Sequence, residues 1–429
     1  MTKTIKYVVE TGLCLGCGTC AGICPSRSIE IVSNSKGELE ASIIGLCVNC
    51  GNCLKVCPGS NVNVVQLNNS FMDREGKYDP LIGTYSQCYI GYAQDSTIRA
   101  KGSSGGLVTS LLISALESGF IDGAIVTKMN ELEPTKPKVF IAKTVEEIVS
   151  AQTSKYCPVA TNIMLREVLQ KEGRYAVVGL PCQIQGIRKA ERVNSVLRKR
   201  IVLHIGLLCS HSVNFHGFEY LLGQMGVKIS DISEFTHRGN GWPGVMTIRL
   251  KNGKIKKLPF HAYREELFNL FLFTPLRCLQ CIDTSCELAD LSFGDAWFSE
   301  FRCSDTLGRS VIIARNSVGI QLLESMMKNN QAILQQIDVI QLLKRHGNCE
   351  TFRFKKSTKA RFFPFMLLKK SIPVYQTPVS IGKSRLGDYF VSLQSFSNAY
   401  LSSKSNFLFT PAIIKAYMTV LRKIISGVF

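Results

Sequence analysis

Cys14-Leu-Gly-Cys17-Gly-Thr-Cys20-Ala-Gly-Ile-Cys24-Pro25 and Cys47-Val-Asn-Cys50-Gly-Asn-Cys53-Leu-Lys-Val-Cys57-Pro58 decide how the N-terminus of this chain folds. Each run spaces its cysteines for a [4Fe–4S] cubane: Cys-x2-Cys-x2-Cys wraps three thiolates around one face, and the fourth ligates the other cluster of the pair. The expected ligand sets are therefore Cys14, Cys17, Cys20 and Cys57 for one cluster, and Cys47, Cys50, Cys53 and Cys24 for the other. Pro25 and Pro58 turn the chain after the last ligand, because proline fixes φ and donates no hydrogen bond. Gly16, Gly18 and Gly51 are expected to let the backbone approach the sulfides. Structural zinc would favour paired Cys-x2-Cys motifs, and disulfides belong to oxidising compartments.

The stretch resembles the two-cluster bacterial-type ferredoxins. Residues 1–66 are accordingly expected to form an α+β ferredoxin-like domain, with a hairpin from Ser28–Val32 and Glu38–Ser42 between the half-motifs. Residues 67–84 are polar, contain Gly76, Pro80 and Gly83, and read as a linker. From residue 85 strands and helices alternate, which points to a larger α/β domain with a partly parallel sheet over 85–349. Within it, Leu107–Glu117 is a predicted helix, Tyr175–Leu180 and Arg200–Leu208 are predicted strands, and Ala332–Lys344 is a predicted helix. Tyr263–Phe273 is another predicted helix, and Asn252-Gly253 a predicted hairpin turn.

The totals narrow the function. The 429 residues include 17 cysteines and carry a formal net charge of +19. No apolar run is long enough for a membrane span, and no apolar signal region opens the chain, so the expected location is cytoplasmic and the cysteines are expected to be metal ligands. The basic excess is concentrated in the region 350–429. From Thr351 onward nine Lys and four Arg face one acid, Asp388. No nucleic-acid-binding motif accompanies this charge, and no nucleic acid is expected as a partner. The apolar run within Arg361–Lys370 and the amphipathic Ile413–Ile425 suit peripheral contact with the inner face of a membrane, or a partner.

Four later cysteines stand out. Cys182 and Cys209 follow predicted strands, and Cys278 and Cys281 form a Cys-x2-Cys, with Cys286 five residues on. Ligands of an open α/β sheet gather beyond the carboxyl ends of strands. A third [4Fe–4S] cluster is expected there, its fourth ligand left open among Cys182, Cys209 and Cys286.

Lys101–Gly106, Ser154–Tyr156, Gly179–Gln183, Gly206–Cys209, Arg277–Cys281 and Ala289–Asp295 together are similar to motifs of the coenzyme F420 hydrogenase/dehydrogenase beta subunit family, in which a fused ferredoxin is common. That resemblance, over about residues 85–330, implies FAD beside a [4Fe–4S] cluster, hence a flavin-binding α/β domain. The loop Gly102, Ser103, Ser104, Gly105, Gly106 opens a helix and suits the FAD pyrophosphate. Lys101 would pair with a phosphate or the flavin pyrimidine edge, Lys155 and Tyr156 are candidates at the flavin, Asp295 at the cluster or a ribose, and His211 as a proton donor. Lys101, Lys155 and His211 form the candidate catalytic set, while mid-strand His204 reads as a satisfied core histidine.

The expected function is that of an iron–sulfur flavoprotein oxidoreductase. It would pass electrons between the clusters and FAD, to or from a two-electron small-molecule substrate such as coenzyme F420 or a biosynthetic intermediate, for instance in polysaccharide biosynthesis. A ferredoxin, F420 or another redox protein would be its donor or acceptor. The alternative is a non-catalytic electron-transfer subunit docking to a membrane-associated or acidic partner.

Overall fold

The computed structural model describes residues 4–404 apart from 74, 302–303, 346–354 and 378–383. Cys303, Cys349 and the Ile413–Ile425 segment lie outside the described residues. In the N-terminal unit the hairpin forms as expected. Strand β1 (Ile29–Ser33) pairs antiparallel with β2 (Leu39–Ile43), placing Ile31 opposite Ala41. Ile29 and Ala41 join Ile5, Val8 and Leu13 in a small core that also takes in Cys20 and Cys57. The first cysteine run ends in a short helix, α1 (Thr19–Gly22), and the second in Asn52–Lys55.

The larger unit is built on a mixed sheet of eight strands. In chain order these are β3 (Gln87–Ala93), β4 (Gly123–Met129), β5 (Pro137–Ala142), β6 (Tyr175–Gly179), β7 (Ile201–Leu207), β8 (Leu291–Asp295), β9 (Ser310–Ala314) and β10 (Ala332–Ile337). Their spatial order is β10-β3-β9-β8-β7-β6-β4-β5. The inner four, β8-β7-β6-β4, run parallel, and antiparallel strands flank them on both sides. Two helices border the redox site: α2 (Leu107–Glu117), packed on the sheet through Leu107, Leu111 and Ala115, and α3 (Pro181–Val193), which begins directly after β6. A separate three-stranded antiparallel sheet, Ile232–Gly239, Val245–Leu250 and Ile255–Pro259, rises beside the large one.

Three sequence expectations change. Ala332–Lys344 is not one helix: Ala332–Ile337 is the edge strand β10, paired to β3, and the helix starts at Val339. Pairing with an open sheet edge outweighs the segment's helical preference. The stretch 67–84 is no slack connection. Helix Val64–Phe71 is capped by Asn63 and buries Leu67 in the main core, and Lys77–Asp79 pairs with Gly83–Tyr85. The helix expected over Tyr263–Phe273 spans Phe260–Arg264, passes into a π-turn at Glu265–Asn269, and ends before Phe271 and Phe273, both at positive φ. After the basic segment begins, helix Thr358–Leu367 buries Phe365 against Leu279 and Phe396 of helix Leu386–Lys404. No described helix is long and apolar enough to cross a membrane.

A buried ionic network fixes α3 to the sheet. His204 of β7 meets Glu191 Oε1 through Nε2 (2.6 Å) and Asp290 Oδ2 through Nδ1 (3.1 Å), while Arg188 bonds both carboxylates. Asn316 Nδ2 donates to Asp290 Oδ1. His204 is the satisfied core histidine that its mid-strand position suggested. Burial and the Arg188 charge push its pKa down, but Glu191 and Asp290 together raise it above the usual value. A raised folded-state pKa stabilises fully below the unfolded value of about 6.5 and loses that contribution as pH rises through the folded value. His204→Gln is therefore expected to cost about 2 kcal/mol near pH 6 and progressively less toward pH 9, by urea unfolding of variant and parent in parallel.

Candidate redox site

The first cysteine set is drawn together as its spacing requires. Cys14, Cys17, Cys20 and Cys57 are close enough that, after burial, their mutual charges push the thiols of Cys14, Cys17 and Cys20 up, Cys17 to about 12. Ligation by iron removes that penalty by holding them as thiolates. Cys24, Cys47, Cys50 and Cys53 line one shallow hollow near the surface, with Cys50 exposed. Cys57 thus lies with the first run and Cys24 with the second, the grouping that a crosswise exchange of fourth ligands would use. Two of the glycines also serve packing. Gly16 and Gly18 have positive φ, and a Cβ on them would strike Leu39 and Ile163, so they serve close protein packing; Gly51, also at positive φ, faces open space.

The ferredoxin unit docks through α1. Asn162 N–H donates to Cys17 O, Arg166 to Ala21 O, and Arg277 to Gly59 O. This places Cys17 against the start of α3. Burial, then the charges of Cys17, Cys281, Cys209 and Cys278, push the Cys182 thiol well up. Cys209, Cys278 and Cys281 are likewise raised, first by burial and then by one another or by Asp283. Four cysteines from three separate stretches thus converge. Cys286 also feels the charge of Cys209 but stands differently. It is fully buried in the apolar core, where a Cβ on Gly206 would lie 2.5 Å from its sulfur. Among the described residues no three Cys, His, Asp or Glu side chains close on a single ion, and a cubane holds its thiolates farther apart than one ion does. Two cations that spacing did not single out flank the pair: Arg361 donates to Cys281 O, and Arg277 lies beside Cys278 and Cys281. Positive charge there offsets that of a thiolate-ligated cluster.

On the other side of Cys209 lies a cleft of about 400 Å³, within the range of small-molecule and cofactor sites. Its wall includes Gly102, Ser103, Ser104, Gly106, Lys155, Tyr156, His211 and Asp295. Gly105 packs just behind, a Cβ there standing 2.7 Å from Gly91 O. Lys101 does not line the cleft; it ends helix Ser96–Lys101 with its side chain exposed. Gly106, at φ +73°, turns the chain into α2, whose first residues Leu107, Val108 and Thr109 also face the cleft. The first N–H groups of a helix have no partner within it.

Several candidates hold the walls together. Ser103 Oγ donates to Arg238 O and accepts from Ser154 N–H, and Ser104 Oγ meets Ser310 Oγ at 2.8 Å. Lys155 Nζ reaches the carbonyls of Ala151, Gln152 and Thr153, the geometry of an ammonium, while burial lowers its pKa to about 7. Asp295 is clasped by both Arg238 nitrogens, at 2.7 and 2.9 Å, and by Trp242 Nε1 at 3.0 Å; Arg238 also donates to Tyr156 Oη. His211 bonds Leu267 O through Nε2 and Ser210 through Nδ1, and burial drops its pKa to about 3. It is therefore a neutral imidazole at pH 7 and a poor proton donor, contrary to the role its place after Cys209 suggested. Sequence reasoning missed Arg238, Trp242 and Gln152. Their strand-end and loop positions carry no spacing signal.

Models of the coenzyme F420 hydrogenase/dehydrogenase beta subunit match over residues 88–166 for its N-terminal part and 172–339 for its C-terminus. The chain belongs to this family. A 4Fe-4S dicluster domain matches residues 13–61. Coenzyme F420 hydrogenase subunit beta of Methanosarcina barkeri is 29% identical over 244 residues, 52% of this chain and 76% of that protein. The coenzyme F420-dependent sulfite reductase of Methanocaldococcus jannaschii is 27% identical over 413 residues, 91% of this chain and 57% of the relative. An F420H2 dehydrogenase subunit of Methanosarcina mazei is 26% identical over 366 residues, 82% of this chain and 95% of its own length. A chain of the F420-reducing [NiFe] hydrogenase complex from Methanosarcina barkeri shares the fold, with a TM-score of 0.53 and 22% identity, covering 69% of this chain and 98% of that one. This family member is thus an iron–sulfur oxidoreductase with an N-terminal dicluster unit.

Proposed function

We propose that the chain exchanges electrons between its ferredoxin unit and an FAD seated in the cleft, through a third [4Fe–4S] cluster held by Cys182, Cys209, Cys278 and Cys281. One observation carries this reading: Cys182 adjoins Cys17, while Cys209 adjoins Cys278 and Cys281 and also lines the cleft. That order of electrostatic neighbours supports a path from the dicluster unit to the cavity. The residues fit the cofactors. Thiolates suit cubanes, and the Gly102–Gly106 loop and first turn of α2 suit a pyrophosphate. Gln152 Oε1, buried without a hydrogen-bond partner, belongs to a cleft-lining residue and would accept from a ligand N–H such as the flavin imide. Bound FAD would supply the junction between one-electron and two-electron chemistry.

The chain's own residues hold this arrangement. Lys155 keeps the end of helix Val145–Ser150 folded into the wall, and Arg238 locks Asp295, Tyr156 and the Ser103 loop to one another. Coenzyme F420, named in several relatives, is the first two-electron partner to test; a biosynthetic intermediate, in polysaccharide biosynthesis or elsewhere, is the next class. Residues 1–66 would be the ferredoxin domain and 85–349 the flavin and cluster domain. Anaerobic reconstitution is expected to yield about twelve irons and one FAD per chain, with the flavin bleached by reduced ferredoxin or by F420H2. Eight irons and no flavin would sink the proposal.

A second reading concerns location. Met366, Leu367 and Leu368 are more than half exposed beside exposed Lys369 and Lys370. That pairing suits peripheral contact with an anionic membrane. Sedimentation with phosphatidylserine vesicles at low and high salt tests it.

A further inference from the structure

Thr19, two residues after Cys17, is fully buried where α1 meets the larger unit. Its Oγ1 accepts from Asn162 Nδ2 at 2.7 Å and stands 3.2 Å from Cys17 Sγ. The orientation of the Asn162 amide is set by its other bond, 2.8 Å to the Gln183 carbonyl, which can only accept. A threonine hydroxyl has one proton. With its oxygen accepting from Asn162, the Thr19 proton is directed at the Cys17 sulfur. Asn162 is itself anchored to the ferredoxin unit by its N–H bond to Cys17 O at 3.0 Å. Glycines on both sides permit the approach: a Cβ on Gly186 would lie 2.2 Å from Thr19 Oγ1, and one on Gly22 would lie 2.2 Å from Asn162 O.

We propose that Asn162, a residue of the larger unit, is a positioning residue for electron transfer in the ferredoxin unit: it turns the Thr19 hydroxyl onto Cys17 and thereby raises the reduction potential of the cluster held by Cys14, Cys17, Cys20 and Cys57. Reduction adds one electron and no proton, taking a cubane with four thiolates from a charge of about −2 to about −3. A hydrogen bond to a ligand sulfur stabilises the more negative state. This cluster is also the one next to Cys182, so the bond favours an electron resting where it leaves the ferredoxin unit. The other cluster has a different environment. Cys24 meets Ser26 and Ser28 hydroxyls at 3.6 Å on the solvent side, within its own unit.

The inference depends on the dicluster unit and its contact with Asn162, not on a flavin or a third cluster, so its failure leaves the flavin and third-cluster reading untouched, and their failure leaves it standing. The test is a redox titration of the full chain, anaerobically reconstituted and followed by electron paramagnetic resonance. In Thr19→Val, which keeps the shape and removes the hydroxyl, one ferredoxin midpoint is expected to move negative by about the 59 mV that corresponds to a tenfold change for one electron, the other staying in place. Thr19→Ser is expected to keep the parental value. Gly186→Ala, whose methyl displaces the hydroxyl from outside the ferredoxin unit, is expected to reproduce the negative shift, and it decides the matter should Thr19→Val not load its iron. Fully loaded variants with unmoved midpoints, or a serine variant that shifts as far as valine, would overturn the proposal.

Discussion

Cys281→Ala is expected to lower the iron content of the reconstituted protein from about twelve to about eight atoms per chain, the difference being one cubane. The dicluster ligands lie in a separate unit with its own core, so the ferredoxin signals should survive. Flavin reduction by the ferredoxin unit should fall sharply while reduction by a small-molecule hydride donor persists. Cys286→Ala is the control: it faces the packed core beside Gly206, so its iron count should stay at about twelve, with only a packing effect on stability. Iron and sulfide analysis with stopped-flow flavin bleaching reads both outcomes. An undiminished count in Cys281→Ala would remove the third cluster from the molecule.

Arg238→Ala is expected to destabilise the chain by about 3–5 kcal/mol, because it strands a charged partner. The Arg238 side chain is 1% exposed and that of Asp295 18%. The guanidinium also lies over the Phe260 ring, 4.5 Å from its centroid, and donates to Pro243 O. Arg238→Lys keeps the charge but loses the two-pronged clasp on Asp295, so an intermediate loss is expected. Since the Arg238 side chain also holds Asp295 and Tyr156 in the cleft wall, both variants should also weaken retention of whatever fills the cleft. Urea unfolding and flavin content after gel filtration measure the two effects. A variant as stable as the parent would show that the clasp is decorative.

Much of the site is legible in the sequence. The eight N-terminal cysteines are readable because their spacing is itself the chemistry: residues three or four apart are held near each other by the chain. Helix α2 and strands β6 and β7 are readable from apolar runs, closed by Gly119 in α2, by Gly179-Leu180-Pro181 in β6 and by Cys209 in β7. The roles of Ser103, Ser104, Lys155 and Asp295 are not. Their residue types suggest ligand contacts, yet their bonds run to Arg238, Ser154, Ser310 and backbone carbonyls in other elements. Strand β10 reads as a helix because its identity comes from pairing with β3, more than two hundred residues earlier.

The sequence by itself determined that the chain opens with a two-cluster ferredoxin unit and continues as an α/β oxidoreductase of the coenzyme F420 hydrogenase/dehydrogenase beta subunit family, since local spacing and motif order do not depend on how distant parts meet. Only the tertiary structure decided which later cysteines converge. Cys182, Cys209, Cys278 and Cys281 come within one another's electrostatic reach because the ends of β6 and β7 open toward the docked ferredoxin unit, while Cys286, though within reach of Cys209, sinks into the core where Gly206 leaves just enough room.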